Sequence, residues 1–385
     1  MRSSTSARLA FWLPIGFLVL SIVSVRAVPR LEIAGADLHN LYVYHHCPMR
    51  DDPYLATGTS CGDLWGRDMF YPPLLYWSFV WTRFVSFPVA FVVWSAFTVL
   101  AMLLAARAWI ATAGDRGTYL FWLLLLAQFP LLFALERGNN DVVVVLGWSL
   151  AFLLLARGRV GLSGVLAGSC AALKLYPAIA VAAVAAGLWR FEPTARRRCL
   201  RFAGGAGLAL VLAAAALPAD TRAYVTDELP RFANDPAPDA WSYSHAMPIL
   251  VPGHPAVGLA LSAAVVALWV FVGMRRLATD PGPVFAGAIA MSTYFASISW
   301  DYNLITTYPL LLLLFDRSRE HPFGRAWLLL ALGLVAIVGD RTLFDGPVLA
   351  RVHVLLELAW LALTALHFLR ATQDRPPAAD PGSLT

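Results

Sequence analysis

The feature that most constrains this chain is a succession of apolar runs, each roughly 16 to 25 residues long, recurring from one end to the other. Backbone placed in hydrocarbon must satisfy its own hydrogen bonds, so runs of this length predict membrane helices. We place them at 10–28, 87–106, 118–134, 141–156, 160–173, 176–190, 200–217, 255–274, 283–298, 302–316, 325–339 and 347–369. That is about twelve spans, give or take two. A further apolar stretch, 74–84, follows Pro72-Pro73 and predicts a short interfacial or re-entrant helix. Only 14% of the residues are charged, where a soluble domain carries about a quarter. The expected fold is therefore an all-α integral membrane protein, a multispanning helical bundle. It forms one domain over residues 1–370 and ends in a disordered cytoplasmic tail, 371–385 (ATQDRPPAADPGSLT). Residues 1–27 share the basic start and apolar core of a signal peptide, but the core is long for one, which favours a retained first helix.

Charge orients the bundle. One set of loops holds Arg2/Arg8, Arg107/Arg116, Arg157/Arg159, Arg196-Arg197-Arg198 with Arg201, Arg275/Arg276, Arg317/Arg319/Arg325 and Arg370/Arg375. The alternating set, 29–73, 135–141, 174–176, 218–254, 299–301 and 340–346, is acidic or mixed. The positive-inside rule puts the first set in the cytoplasm, with both termini, so the long polar loops face outward from the cytoplasmic membrane. The net charge of +5 is spread over these short basic staples and does not signal nucleic-acid binding.

The first long polar interruption, 29–73, brings carboxylates, histidines and aromatics between two apolar runs. Asp37, in GADLHNLYVY, is placed to accept a proton from a hydroxyl nucleophile, or else is a solvated or capping carboxylate. His39, His45, His46, Cys47, Asp51 and Asp52 crowd the same loop but show no zinc-site spacing, so no metal is expected. Cys47 and Cys61 suit a disulfide on an oxidising face, whereas Cys170 and Cys199 read as free thiols. The second long loop, 218–254, is rich in Pro, Asp and aromatics and either caps a cavity or simply connects two spans.

Lys174 is the chain's one lysine and sits in AALKLYP, where Pro177 prevents an uninterrupted helix. An ionisable residue at such a place marks a functional site by default, here at a depth where a lipid phosphate would lie; the alternative is a snorkelling lysine. The string Glu136-Arg137-Gly138-Asn139-Asn140-Asp141 lies between two apolar runs. A glycine turn and a helix cap account for part of it but not for the arginine, which from its position we read as a second phosphate ligand. Trp300 and Asp301, in SISWDYN, stand at another outer boundary, as belt and cap residues or as pocket lining.

In this order the pieces resemble the polyprenol-phosphate-dependent glycosyltransferases of the GT-C superfamily, and within it glycosyltransferase family 87, the alpha-mannosyltransferase-like group. The resemblance rests on Asp37 with Tyr42 or Tyr44 and Asp52-Pro53-Tyr54, on Tyr71-Pro72-Pro73, on the run from Gly138-Asn139 through Arg159, Gly164 and Gly168 to Leu173-Lys174-Leu175-Tyr176-Pro177, and on Ser297 with Ser299-Trp300-Asp301. It implies Asp37 as general base and Lys174 as the holder of the donor phosphate. Asn139, Asp141 and Asp301, with Asn140, Trp300 and Tyr71 beside them, would line the sugar and acceptor pocket. Relatives often carry histidine where this chain has Tyr302-Asn303, and the Gly-Asn-Asn-Asp string also departs from the commoner forms.

The expected activity is inverting transfer of a hexose, plausibly mannose, from a polyprenyl-phosphate donor to a glycolipid, polysaccharide or protein acceptor outside the cytoplasm. No cofactor beyond the lipid-linked donor is expected. The alternatives are a lipid or polyol transporter and a non-catalytic assembly subunit.

Overall fold

Every regular element among the described residues of the computed structural model is helical. Those residues are 35–46, 71–113, 116–189, 193–230, 255–277, 279–293, 301–319, 324–338 and 347–370. The expected first span at 10–28, Cys47, Asp51, Asp52, Cys61, Trp300 and the tail lie outside them.

In chain order the helices are α1 (Ala36–His46), α2 (Pro73–Ser78), α3 (Phe87–Ala113), α4 (Arg116–Leu126), α5 (Phe129–Arg137), α6 (Asp141–Ala156), α7 (Val160–Leu173), α8 (Pro177–Leu188), α9 (Pro193–Ala216), α10 (Pro218–Ala223), α11 (Pro255–Arg276), α12 (Pro281–Ser292), α13 (Tyr308–Ser318), α14 (Arg325–Val338) and α15 (Pro347–Arg370). Short 3₁₀ segments cover Val80–Phe84 and Asp301–Thr307, and a π-helical turn, Tyr224–Glu228, continues α10. Among the described residues, three helices are long and apolar enough to cross a membrane by themselves: Phe87–Ala111, Ala195–Ala216 and Val352–Arg370. Several others are apolar but shorter. This is a helical membrane protein.

Two departures from the sequence expectations bear on the site. The run read as one span over 118–134 is two helices, bent by 48° where α4 gives way to α5. The cause is Pro130, which removes an amide donor and crowds the preceding turn, while Gln128 is extended. The interruption at 29–73 also contains α1, so Asp37 sits in the first turn of a helix.

Small residues set the tightest packing. α7 and α9 run side by side in the same direction, Gly164 against Phe202 and Gly168 against Ala206. A Cβ at Gly164 would lie 2.0 Å from the Phe202 carbonyl oxygen, and one at Gly205 would lie 2.3 Å from that of Gly161. Glycines four apart let two backbones touch where lipid supplies no hydrophobic drive for association. Larger side chains fill the centre: Trp109, Trp122, Trp148 and Trp269 are fully buried. Trp109 donates to Ser149 Oγ at 2.8 Å and Trp148 to the Phe285 carbonyl at 2.8 Å. A buried indole N–H usually finds such a partner. Cys170 and Cys199 are buried free thiols, as expected.

Polar contacts gather at two ends. At one end Arg317 pairs with Asp280, Arg276 donates to the Leu369 carbonyl, and Thr118 donates to Asp316 at 3.3 Å. These join loops that the arginine pattern assigns to one face. Segments from the other set, 35–46, 71–78, 137–141, 174–176, 218–228 and 301–307, meet elsewhere, around Asp37, Asp141 and Asp220.

Candidate active site

The site begins with a backbone junction. α5 ends at Gly138, whose φ of +66° is one that glycine adopts without strain. That geometry lets the Asn139 N–H reach back to the Ala134 carbonyl at 2.8 Å and sends the chain straight into α6. Gly35, also at positive φ (+80°), donates its N–H to the Glu136 carbonyl at 2.7 Å. A Cβ on Gly138 would sit 2.7 Å from Leu38 Cβ, so the first turn of α1 lies directly on the turn between α5 and α6.

On α1, Asp37, Asn40, Leu41 and Tyr44 follow at helical spacing and share one buried face. Asp37 is 1% exposed. Its Oδ1 accepts from Arg137 Nη2 at 2.7 Å and Nε at 3.2 Å, and its Oδ2 accepts from Asn139 Nδ2 at 3.1 Å. Arg137, which the sequence reading offered to a phosphate, thus turns its guanidinium onto the proposed base. The sequence could not show which carboxylate α1 brings to the arginine.

Asp141 opens α6 and is fully buried. Its backbone N–H donates to Asn139 Oδ1 at 2.8 Å, so Asn139 bridges the two carboxylate residues. Asp141 Oδ1 lies 3.0 Å from Lys174 Nζ and accepts from the Tyr176 hydroxyl at 2.8 Å, while Oδ2 accepts from Asn303 Nδ2. Lys174 is extended (φ −144°, ψ 134°) where α7 stops and Pro177 opens α8, so the predicted break is real. The Lys174 ammonium also faces the Tyr71 ring, 5.1 Å from its centroid, a cation–π contact. Tyr71 in turn donates its N–H to the Tyr76 hydroxyl, which donates to Asn40 Oδ1 at 2.8 Å.

Two anions and two cations therefore stand in one buried constellation. Buried charges are tolerated when paired and hydrogen-bonded, and each carboxylate here meets both conditions. Lys174 is the most accessible of the four, at 11% against 2% or less for the others. The pairing sets Asp37 with Arg137 and Asp141 with Lys174, tied together through the amide of Asn139. Asn140 is buried beside them with neither side-chain amide atom partnered among the described residues. Asp301 lies in the 3₁₀ segment that carries Asn303; Trp300 is outside the described residues.

A second cluster closes the same end. Tyr44 stacks on Tyr76 with centroids 4.4 Å apart and donates to Asp220 Oδ2, which Trp77 Nε1 also approaches at 3.1 Å. Burial and the nearby Asp220 carboxylate push the Tyr44 phenol well above its ordinary range. The segment read as a loop from 218 begins as helix, and Asp220 on α10 is what it lends to α1 and α2. His45 and His46 lie against the Tyr76 and Tyr42 carbonyls, at 2.7 and 2.9 Å.

With this geometry established, the comparison with known families is decisive. The family model for glycosyltransferase family 87 matches residues 70–299, more than half of the 385-residue chain. The chain belongs to glycosyltransferase family 87. No curated protein and no solved structure matches it. Membership makes this protein a glycosyltransferase, with a sugar donor and an acceptor as substrates, and decides against the transporter and the assembly subunit.

The family 87 match takes in Tyr71, Arg137, Asn139, Asn140, Asp141 and Lys174. Asp37 and Asn303 lie beyond its ends and join the constellation through tertiary contacts. Sequence reasoning left Tyr176 and Asn303 out of the site. Tyr176 stood two residues from Lys174 and could have been included. Asn303, 162 residues from Asp141, carried only the signal that relatives often have histidine there.

Proposed function

We propose that this family 87 enzyme transfers a hexose, with mannose as the candidate sugar, from a polyprenyl-phosphate donor to a glycolipid, polysaccharide or protein acceptor on the outer face of the cytoplasmic membrane. Both termini are cytoplasmic, and about twelve spans, with interfacial helices at 73–84, carry the site at the outer boundary. The observation that supports this best is the joined pair of ion pairs, Asp37–Arg137 and Asp141–Lys174, where the polar segments meet.

Asp37 is the general base. Arg137 and Asn139 hold both carboxylate oxygens in a fixed orientation, and an ionised carboxylate takes up the proton of an acceptor hydroxyl. The acceptor oxygen attacks the anomeric carbon as its proton passes to Asp37. The bond from that carbon to the phosphate oxygen breaks, and the electron pair leaves on the phosphate. Lys174 holds that phosphate, its ammonium having three donors of which Asp141 engages one side. Displacement in one step from the opposite face inverts the anomeric centre. Arg137 acts on Asp37 as a positioning residue. Asn139, Asp141 and Tyr71 line the pocket or support it, a role that the family resemblance also gives to Trp300 and Asp301.

The test uses protein in lipid nanodiscs with radiolabelled polyprenyl-phospho-mannose and a lipid extract of source membranes as acceptor. Asp37→Asn is expected to bind donor like wild type and to lose transfer by about 10²-fold or more. Lys174→Ala is expected to weaken donor binding. Full transfer by Asp37→Asn would overturn the base assignment. Failure of wild type to bind any of a panel of polyprenyl-phosphate hexoses would overturn the donor class.

A further inference from the structure

Within the 136–141 string, Asn140 is a buried residue whose side chain has no hydrogen-bond partner among the described residues. It precedes α6, at the position from which an asparagine ordinarily caps the helix, yet its side chain makes no capping bond. Asn139 takes the Asp141 N–H instead. Asn140 is 1% exposed, and both its Nδ2 and its Oδ1 are buried without a partner among the described residues. Its neighbours are committed: Asn139 to Asp37, and Asp141 to Lys174, Tyr176 and Asn303. A buried carboxamide left unsatisfied destabilises a fold, and in a native protein it signals a missing partner.

The chemistry of that partner follows from the amide. A carboxamide presents a donor and an acceptor side by side, and an anionic phosphate oxygen could use only the donor. A hydroxyl, which both donates and accepts, uses either half, and two adjacent ring hydroxyls use both. We propose that Asn140 reads a ring hydroxyl of the transferred hexose and so sets sugar specificity. This rests on the transferase reading above and adds to it the residue that discriminates among sugars. Lys174 holds the charged end of the donor and Asn140 its neutral end.

The experiment measures binding of polyprenyl-phospho-mannose and its 2-, 3-, 4- and 6-deoxy analogues to nanodisc-embedded wild type, Asn140→Ala and Asn140→Leu, alongside the ligand-free unfolding temperature of each. Wild type is expected to bind one or more deoxy donors on the order of 10-fold more weakly than the parent, because a bound sugar lacking that hydroxyl leaves the amide unpaired. Asn140→Ala is expected to bind that deoxy donor and the parent alike. The ligand-free variants are expected to unfold no lower than wild type, since no internal bond is lost. Unchanged discrimination in both variants would overturn the proposal and leave the slot to a buried water. A lowered unfolding temperature with discrimination retained would overturn it in favour of a purely structural role. Equal binding of every deoxy donor by wild type would overturn it too. If wild type binds the parent and Lys174→Ala weakens that binding, any such failure falls on Asn140 alone. Absence of all binding by wild type removes the mannose donor and this inference with it.

Discussion

Asn139 Nδ2 donates to Asp37 Oδ2 at 3.1 Å, across 102 residues of chain. The same side chain accepts the Asp141 N–H through Oδ1. One amide thereby fixes the orientation of the proposed base and the start of the helix whose first residue holds Lys174. Asn139→Ala should cost about 2–4 kcal/mol in stability, since one of the two lost bonds serves a buried carboxylate. Asn139→Asp should be worse, because it sets a second carboxylate against Asp37. Thermal unfolding in detergent would order the variants, and a reversed order would refute the bridging role.

Arg137→Ala leaves the Asp37 carboxylate buried and without its cation, a change that destabilises by about 3–5 kcal/mol. Arg137→Lys keeps the charge but loses the fork that places two N–H groups on Oδ1. It should fall between wild type and alanine in unfolding temperature, with donor binding retained. Loss of donor binding by a well-folded Arg137→Lys would return the arginine to the phosphate.

Gly138→Ala should reduce folded yield. A non-glycine residue at φ +66° costs about 1–2 kcal/mol, and the new Cβ would also meet Leu38 Cβ at 2.7 Å. Leu38→Ala added to it should not help, because alanine keeps that atom. Fluorescence-detected gel filtration of the single and double variants would check both statements.

The α7–α9 contact carries its own internal control. Gly164→Ala and Gly168→Ala drive a Cβ to 2.0 and 2.4 Å from backbone carbonyls of α9 and should force the helices apart. Gly204→Ala and Gly207→Ala, on the same helix pair, meet nothing within 4 Å and should be neutral or stabilising by about 0.5–1 kcal/mol. Since α7 ends at Lys174, the first two should weaken donor binding as well as lower the unfolding temperature.

His45 predicts a pH effect. Burial lowers its pKa below the ordinary 6.5, while its Nε2 lies 2.7 Å from the Tyr76 carbonyl. As pH falls, the unfolded chain takes up the proton first, so the contribution of neutral His45 is complete above about 6.5 and shrinks below it. Unfolding temperature should drop between pH 7 and 5, and by less in His45→Gln. Equal drops in the two proteins would remove His45 as a source.

Much of the bundle was legible because helix in lipid leaves its mark residue by residue. α6 and α7 begin and end where apolar runs predicted, and Pro177 announced the break at Lys174. The bend between α4 and α5 was less visible: Pro130 sat inside a run that hydropathy alone reads as continuous. α1 was missed as a helix because its buried face mixes Asp37, Asn40 and Tyr44 with leucines and so lacks an apolar stripe. Lys174, Arg137, Asn139 and Asp141 were legible as a site because polar groups beside apolar runs are costly enough to need a reason. Their partners were not.

By itself the sequence determined an all-helical membrane chain, the places where helices break, and which polar residues demand partners, since these follow from hydropathy, proline and the cost of burying charge. Only the tertiary structure decided that Arg137 serves Asp37, that Lys174 leans on Asp141, and that Asn303 and Tyr176 complete the site. Charge pairing depends on distance in space, and distance here is set by two glycines, Gly35 and Gly138, that let α1 settle on the turn between α5 and α6.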